Sequence, residues 1–305
     1  MRRHVKPSVN EARVLQSVCL QENIYSLVVR MKLTHGIQSI PKSGQFYMLR
    51  AKPSSVLLAR PISIYTARIV NSEGKEKASI ADIAKGEIPE IFEGDEIELD
   101  FLILKKGEGT IDLCFLRGGD SLDITGPLGN NFFKPGEMLA SASKSKTSVN
   151  RTAKTPSVAI VGGGIGIAPV AGFALGLEDA SYDFYASFKT GSYGLDGLQS
   201  NALTITTDDG SVGVKGMLPA VLTAQTLTEK QYTLVYACGP LPMLAYVQKI
   251  CLEAGVQSWL SMEEKMGCGV GACLGCNIET TEGTRRCCKA GPIFAGEKLI
   301  FGGSK

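Results

Sequence analysis

Histidine is almost missing from this chain: His4 and His35 are the only two in 305 residues. That excludes most chemistry in which an imidazole carries protons. Long apolar runs are missing too, since none approaches the roughly 20 residues that span a bilayer. The basic opening Met1–Pro7 has no apolar segment behind it, so no signal peptide is expected. Nor is there an excess of charge of one sign: the net charge is +2, which gives no basic surface for nucleic acid. Nine cysteines, an odd number, do not form a disulfide framework in a chain this long. They suit a reducing compartment in which some thiolates act as ligands, and a cytoplasmic location is expected.

What the chain does have is glycine, 35 residues of it, and cysteines crowded near the C-terminus. Gly267-Cys268-Gly269-Val270-Gly271-Ala272-Cys273-Leu274-Gly275-Cys276 has the spacing C-x4-C-x2-C, with Cys287 and Cys288 further on. That spacing holds plant-type [2Fe–2S] clusters. Glycines in such a loop accept positive φ and bring N–H groups toward the sulfides. A Rieske centre needs two histidines on one iron, and both histidines lie far from this loop. Zinc also accepts four thiolates, so a structural zinc site on a binding module stays open at this point.

The length suggests about two domains. From 11 to 136 the pattern is that of short β-strands with glycine turns, which favours a closed antiparallel barrel. Strands are expected at Val14–Leu20, Tyr25–Met31, Gln45–Arg50, Pro61–Thr66, Ile97–Leu104, Ile111–Leu116 and Ser121–Thr125. The pattern weakens between Arg68 and Asp95, where Asn71–Lys75 is expected to be an exposed turn. Residues 137–156 are polar and basic and are expected to form a linker. From 157 to 259 strands alternate with helices, which implies a parallel α/β sheet. The segment 260–305 is expected to be held by its metal rather than by a core of its own.

Several stretches suit a dinucleotide. Gly163, Gly164 and Gly166 follow the strand Ser157–Val161 and open a helix, where backbone approach and free N–H groups favour a pyrophosphate. The fit to G-x-G-x-x-G fails at Ile167, and a ligand-free tight turn is the lesser alternative for the same residues. Cys238-Gly239-Pro240 ends a later strand, where a small thiol suits a nicotinamide face as well as a buried turn. Arg60-Pro61-Ile62-Ser63 offers a guanidinium for phosphate and a hydroxyl for a flavin nitrogen, or an edge strand with its arginine in water. Gly107-Glu108-Gly109-Thr110 is expected to be a loop able to bind diphosphate, and Gly126–Asn130 a structural turn.

In this order, Arg60–Ser63, Gly126–Asn130, the glycine turn at 162–166 and Cys238–Pro240 resemble the ferredoxin–NADP reductase superfamily. Glu263–Cys273 with Cys288-Lys289-Ala290-Gly291-Pro292 narrows the resemblance to the electron transfer subunits of NAD-dependent (type B) dihydroorotate dehydrogenase. It covers about 11–300. It implies a multidomain β plus α/β fold: an FAD-binding barrel, an NAD-binding parallel-sheet domain and a small C-terminal [2Fe–2S] domain. It implies FAD contacts at Arg60, Pro61, Ile62, Ser63, Leu102, Ile103, Leu104, Gly109 and Thr110. It implies cluster ligation by Cys268, Cys273, Cys276 and Cys288, the last preferred to Cys287 because the family places its ligand just before Lys-x-Gly-Pro. NAD is then the co-substrate, and the partner an FMN-containing catalytic subunit that oxidises dihydroorotate, in a hetero-oligomer. No side chain of this chain need be a general acid or base. The stretches 68–96 and 137–155 are longer than the family pattern leads one to expect, which bears on the partner surface.

Overall fold

The structure, a computed structural model, describes residues 9–33, 40–135 and 157–302. The expected linker at 137–156, His4 and His35 lie outside the described residues.

The N-terminal unit is an eight-stranded antiparallel sheet. Its strands are β1 (Val9–Gln21), β2 (Ile24–Lys32), β3 (Phe46–Lys52), β4 (Arg60–Ser63), β5 (Thr66–Val70), β6 (Glu76–Ser79), β7 (Glu96–Leu104) and β8 (Ser121–Leu128). They run in the order β4-β3-β8-β1-β2-β7-β5-β6. The sheet curls shut where the chain leaves β4. Ile64 N–H donates to Gln45 O on the β3 side and Tyr65 N–H to Asp100 O on β7, both at 3.0 Å. That corner also explains why the expected strand Pro61–Thr66 is two strands. Val14, Leu27, Val29, Leu49, Leu99, Phe101 and Leu122 fill the interior, as alternation along half-buried strands requires.

Two expectations are corrected here. Ile111–Leu116 is not a strand, and Gly107–Thr110 is not a free loop: Gly107 is the N-cap of α2 (Glu108–Cys114), and Phe115 is its C-cap. The Thr110 hydroxyl starts it, accepting from Lys106 N at 3.0 Å and Gly107 N at 3.1 Å. Gly109 and Leu113, four apart, are both buried, a helical spacing that a six-residue apolar run conceals. The weak region after Arg68 also has structure, β6 and α1 (Ile80–Lys85), whose Ser79 and Asp82 form a reciprocal capping box. The turn at Asn71–Lys75 is present, with Lys75 N–H donating to Asn71 Oδ1 at 2.8 Å.

The second unit is a seven-stranded sheet, order β12-β11-β10-β9-β13-β14-β17. Its strands are β9 (Val158–Gly163), β10 (Tyr182–Phe188), β11 (Ala202–Thr207), β12 (Val214–Lys215), β13 (Leu234–Cys238), β14 (Gln257–Ser261) and β17 (Ile293–Ala295). All pairings are parallel except β14 with β17. Every residue of β9 is buried, as a central parallel strand covered on both faces demands. Helices α3 (Ile167–Ala174), α4 (Ala224–Glu229) and α5 (Leu241–Ala254) complete the unit. The strand order reverses between β9 and β13, which is where open α/β sheets bind ligands.

The C-terminal segment is not held apart from a core. An expected boundary at 259/260 would cut through β14, and β17 returns to the same sheet. Its remaining elements are the hairpin β15 (Asn277–Ile278) and β16 (Arg285–Arg286), with α6 (Cys287–Ala290). Cys276, Ile278, Cys287, Cys288, Phe294 and Leu299 share one buried cluster with Phe46, Met48 and Leu128 of the barrel and with Val161 and Ala237 of the sheet.

Candidate functional site

Arg60, Pro61, Ile62 and Ser63 form β4, a half-buried strand at the end of the barrel sheet, paired with β3 alone. Its other edge has no strand partner. Arg60 Nη1 donates to Leu58 O at 3.0 Å. Its guanidinium lies against Gly109, where a Cβ would come 2.5 Å from Nε, 2.9 Å from Cζ and 3.0 Å from Nη2. Leu102 and Leu104 project to one face of β7 and Ile103 to the other. Leu102 is buried against the α/β unit and Ile103 inside the barrel, so Ile103 can meet a ligand only through its backbone.

At the switch point the two loops touch backbone to backbone. A Cβ on Gly166 would lie 2.6 Å from the Cys238 carbonyl, and one on Gly163 would lie 3.1 Å from Pro240 Cδ. Gly164 differs: its φ is +52° and the space its Cβ would enter is open. Of the three glycines expected to meet a pyrophosphate, Gly164 alone faces open space, and the other two press the loops together. Cys238 ends β13 beside Ser261; burial pushes its thiol up to about 12 despite a hydrogen bond with Ser261. It is neutral at physiological pH and offers no thiolate nucleophile.

The cysteine loop sits between barrel and surface. Gly269, at φ +68°, leaves no room for a side chain: a Cβ would come 2.8 Å from Met48 Sδ and 3.1 Å from Leu128 Cδ1. Cys273 and Leu274 are exposed on the opposite side. Leu274 itself takes φ +59°, a left-handed conformation unusual for leucine, and it turns the chain between Cys273 and Cys276. The thiols fall into two pairs. Cys273 N–H donates to Cys268 Sγ at 3.4 Å, and Cys288 N–H donates to Cys276 Sγ at 3.5 Å. Burial pushes the Cys268 thiol up, but N–H groups of Cys273, Val270 and Ala272 aim at it and bring it down to about 6. Burial and the neighbouring Cys276 push Cys288 up to about 12. Cys287 is turned away and donates to Met262 O at 3.4 Å. Among the described residues no three thiol, imidazole or carboxylate groups close on a single point.

Asn130 was expected only as part of a turn, yet it ties the loop segment to the barrel. Its Nδ2 donates to Ala290 O at 3.1 Å and Ile293 O at 2.8 Å, and its Oδ1 accepts from Ile293 N at 3.0 Å. Nothing in sequence marks one asparagine for this, because its partners lie 160 residues on. Asn130→Ala is expected to leave the buried Ile293 N–H unpaired, which alone costs about 1–3 kcal/mol. Faster proteolysis within 262–300, with the barrel intact, is the expected readout. Unchanged protection would refute the tie.

The iron-sulfur cluster binding domain of dihydroorotate dehydrogenase B matches residues 263–300. The dihydroorotate dehydrogenase B (NAD(+)) electron transfer subunit of Clostridium acetobutylicum is 35% identical over 97% of this chain and 99% of its own length. This chain belongs to that family. The Clostridium perfringens member is 32% identical over 95% of this chain and 98% of its own. In fold, this family member is similar to an NADH-dependent reduced ferredoxin-NADP oxidoreductase, with TM-score 0.65 and 21% identity over 95% of this chain and 89% of that one. A ferredoxin NADP+ reductase from Neisseria gonorrhoeae gives TM-score 0.52 at 14% identity, over 81% of this chain and 92% of that one. The expected reductase fold, with its barrel, parallel-sheet unit and cluster-binding segment, is therefore present.

Proposed function

We propose that this chain is the electron transfer subunit of an NAD-dependent dihydroorotate dehydrogenase in pyrimidine biosynthesis. It passes electrons from an FMN-containing, dihydroorotate-oxidising partner through a [2Fe–2S] cluster and FAD to NAD+. When bound, flavin exchanges electron pairs with nicotinamide and single electrons with the cluster, which is why it stands between them. The observation that carries the reading is the placement of the cysteine loop, packed on Met48 and Leu128 at one side and exposed at Cys273 and Leu274 on the other. A cluster there reaches inward to the barrel and outward to another protein.

The residues fit these groups. Cys268 with Cys273, and Cys276 with Cys288, would supply the four thiolates, and the N–H groups that already donate to Cys268 and Cys276 would offset negative charge on sulfur. This two-and-two arrangement suits a two-iron cluster better than a single tetrahedral zinc. Arg60 and the backbone at Gly109 and Thr110 would hold the FAD diphosphate, β4 and Leu102 to Leu104 its ring. Gly164 and the Cys238–Pro240 turn would hold the dinucleotide across the switch point. The barrel to about 136, the sheet unit from 157 and the cluster segment from 260 act as three working parts, the last built on the other two. Among the described residues no helix is long and apolar enough to cross a membrane, and a cytoplasmic site of action suits the cysteine usage.

The test is anaerobic co-purification with a dihydroorotate dehydrogenase catalytic chain. Added dihydroorotate should bleach the flavin of the complex and produce NADH from NAD+. If the chain instead isolates with an unrelated dehydrogenase and dihydroorotate leaves its flavin oxidised, the pyrimidine assignment is wrong.

A further inference from the structure

The loop 53–59 joins β3 to β4 without helix or strand of its own, and it ends on Arg60. One carboxylate oxygen organises it. Asp112 Oδ2, on α2, accepts from Ser55 N at 2.7 Å and from the Ser54 and Ser55 hydroxyls at 2.9 Å each. Ser54 Oγ in turn accepts from Val56 N at 3.2 Å. The far end of the loop is held by Arg60 itself, whose Nη1 donates to the Leu58 and Ala59 carbonyls at 3.0 and 3.4 Å. Spending Nη1 on its own loop leaves Nε and Nη2, the two donors lying over Gly109, with no protein acceptor among the described residues. A guanidinium edge with two parallel free donors is shaped for a phosphate oxygen pair.

We infer that Asp112 is a positioning residue for the flavin diphosphate: it fixes the 53–59 loop so that the free edge of Arg60 stays over Gly109. This rests on the FAD reading above. Asp112 belongs to the same helix as Gly109, so tying the loop to Asp112 ties Arg60 to the helix turn it covers. Without those three bonds the loop and its arginine are free to drift off α2, and the fork loses its registration on the phosphate.

The test uses the full chain with its cluster, freed of flavin and titrated with FAD and with riboflavin, which lacks any phosphate. Asp112→Ala is expected to weaken FAD binding about tenfold, the equilibrium equivalent of a hydrogen bond to a charged group, and to leave riboflavin binding unchanged. In an Arg60→Ala background, Asp112→Ala is expected to add nothing, because it acts through Arg60. Ser54→Ala/Ser55→Ala removes the same bonds from the loop side and keeps the test available if Asp112→Ala folds poorly. Equal losses for FAD and riboflavin, full additivity with Arg60→Ala, or no FAD loss in either variant would overturn the inference. A wild-type chain that takes up no FAD would instead overturn the flavin reading beneath it.

Discussion

Cys288→Ser is expected to yield protein without its iron, lacking the reduced-state EPR signal and the visible absorption of a cluster, while Cys287→Ser keeps all three. The two cysteines are neighbours in a single helical turn, α6, where successive side chains point about 100° apart. Only one of them can face the glycine loop. Cys288 stands against Cys276, and its own N–H is bonded to that sulfur. Cys287 is fully buried and donates to the Met262 carbonyl. A serine at 287 keeps that donor in nearly the same place, so its cost is about 1 kcal/mol or less. A serine at 288 replaces a soft thiolate with a hard hydroxyl that stays protonated, which iron–sulfur ligation does not accept. Iron per chain, measured on both variants purified anaerobically, decides the matter. The reverse pattern, iron kept in Cys288→Ser and lost in Cys287→Ser, would exchange the two roles.

Why that choice was open in the sequence is instructive. C-x4-C-x2-C needs no structure to be read, because its chemistry is set by local spacing. Cys287 and Cys288 are adjacent, and only the helix phase separates them. The same limit appears elsewhere. The period-2 strands of the barrel and the buried run Val158–Val161 were legible, since each pattern is local. The helix at Glu108–Cys114 was not, because its apolar positions Leu113 and Cys114 suit a strand as well, and its cap is a threonine hydroxyl that reaches back to Gly107. The glycines at 162–166 were legible as a turn, but which of them faces a ligand depends on Cys238 and Gly239, more than 70 residues on. Asn130 and Asp112 were invisible for the same reason: each acts on partners that only the fold brings near.

Gly172→Ala is expected to break the seam between barrel and sheet unit and to release flavin, although it adds a single methyl group. Gly172 lies in α3, a helix buried at every residue. A Cβ there would overlap the Tyr65 carbonyl oxygen at the corner where the barrel closes. That neighbour is backbone, so no rotamer relieves the overlap. The helix has to retreat, and it is hemmed in on its other side. Phe173 packs against Phe132 and Tyr236 with ring centroids 5.0 and 4.7 Å away. Retreat also pulls the Gly172 carbonyl from the Ser43 hydroxyl, which now donates to it at 3.0 Å. Overpacking of this kind costs about 1–3 kcal/mol, and the upper end fits a clash with main chain on one side and aromatics on the other. Leu102, proposed above to hold the flavin ring, is buried in the same cluster as Val170, Ala171 and Phe173 of this helix, so the loss should show there first. Flavin retained after gel filtration, and melting followed by flavin fluorescence, are the measurements. Wild-type flavin content with an unchanged melting point would mean that the two units are not held at this contact. A melt that splits into two transitions, with early flavin release, is the expected result.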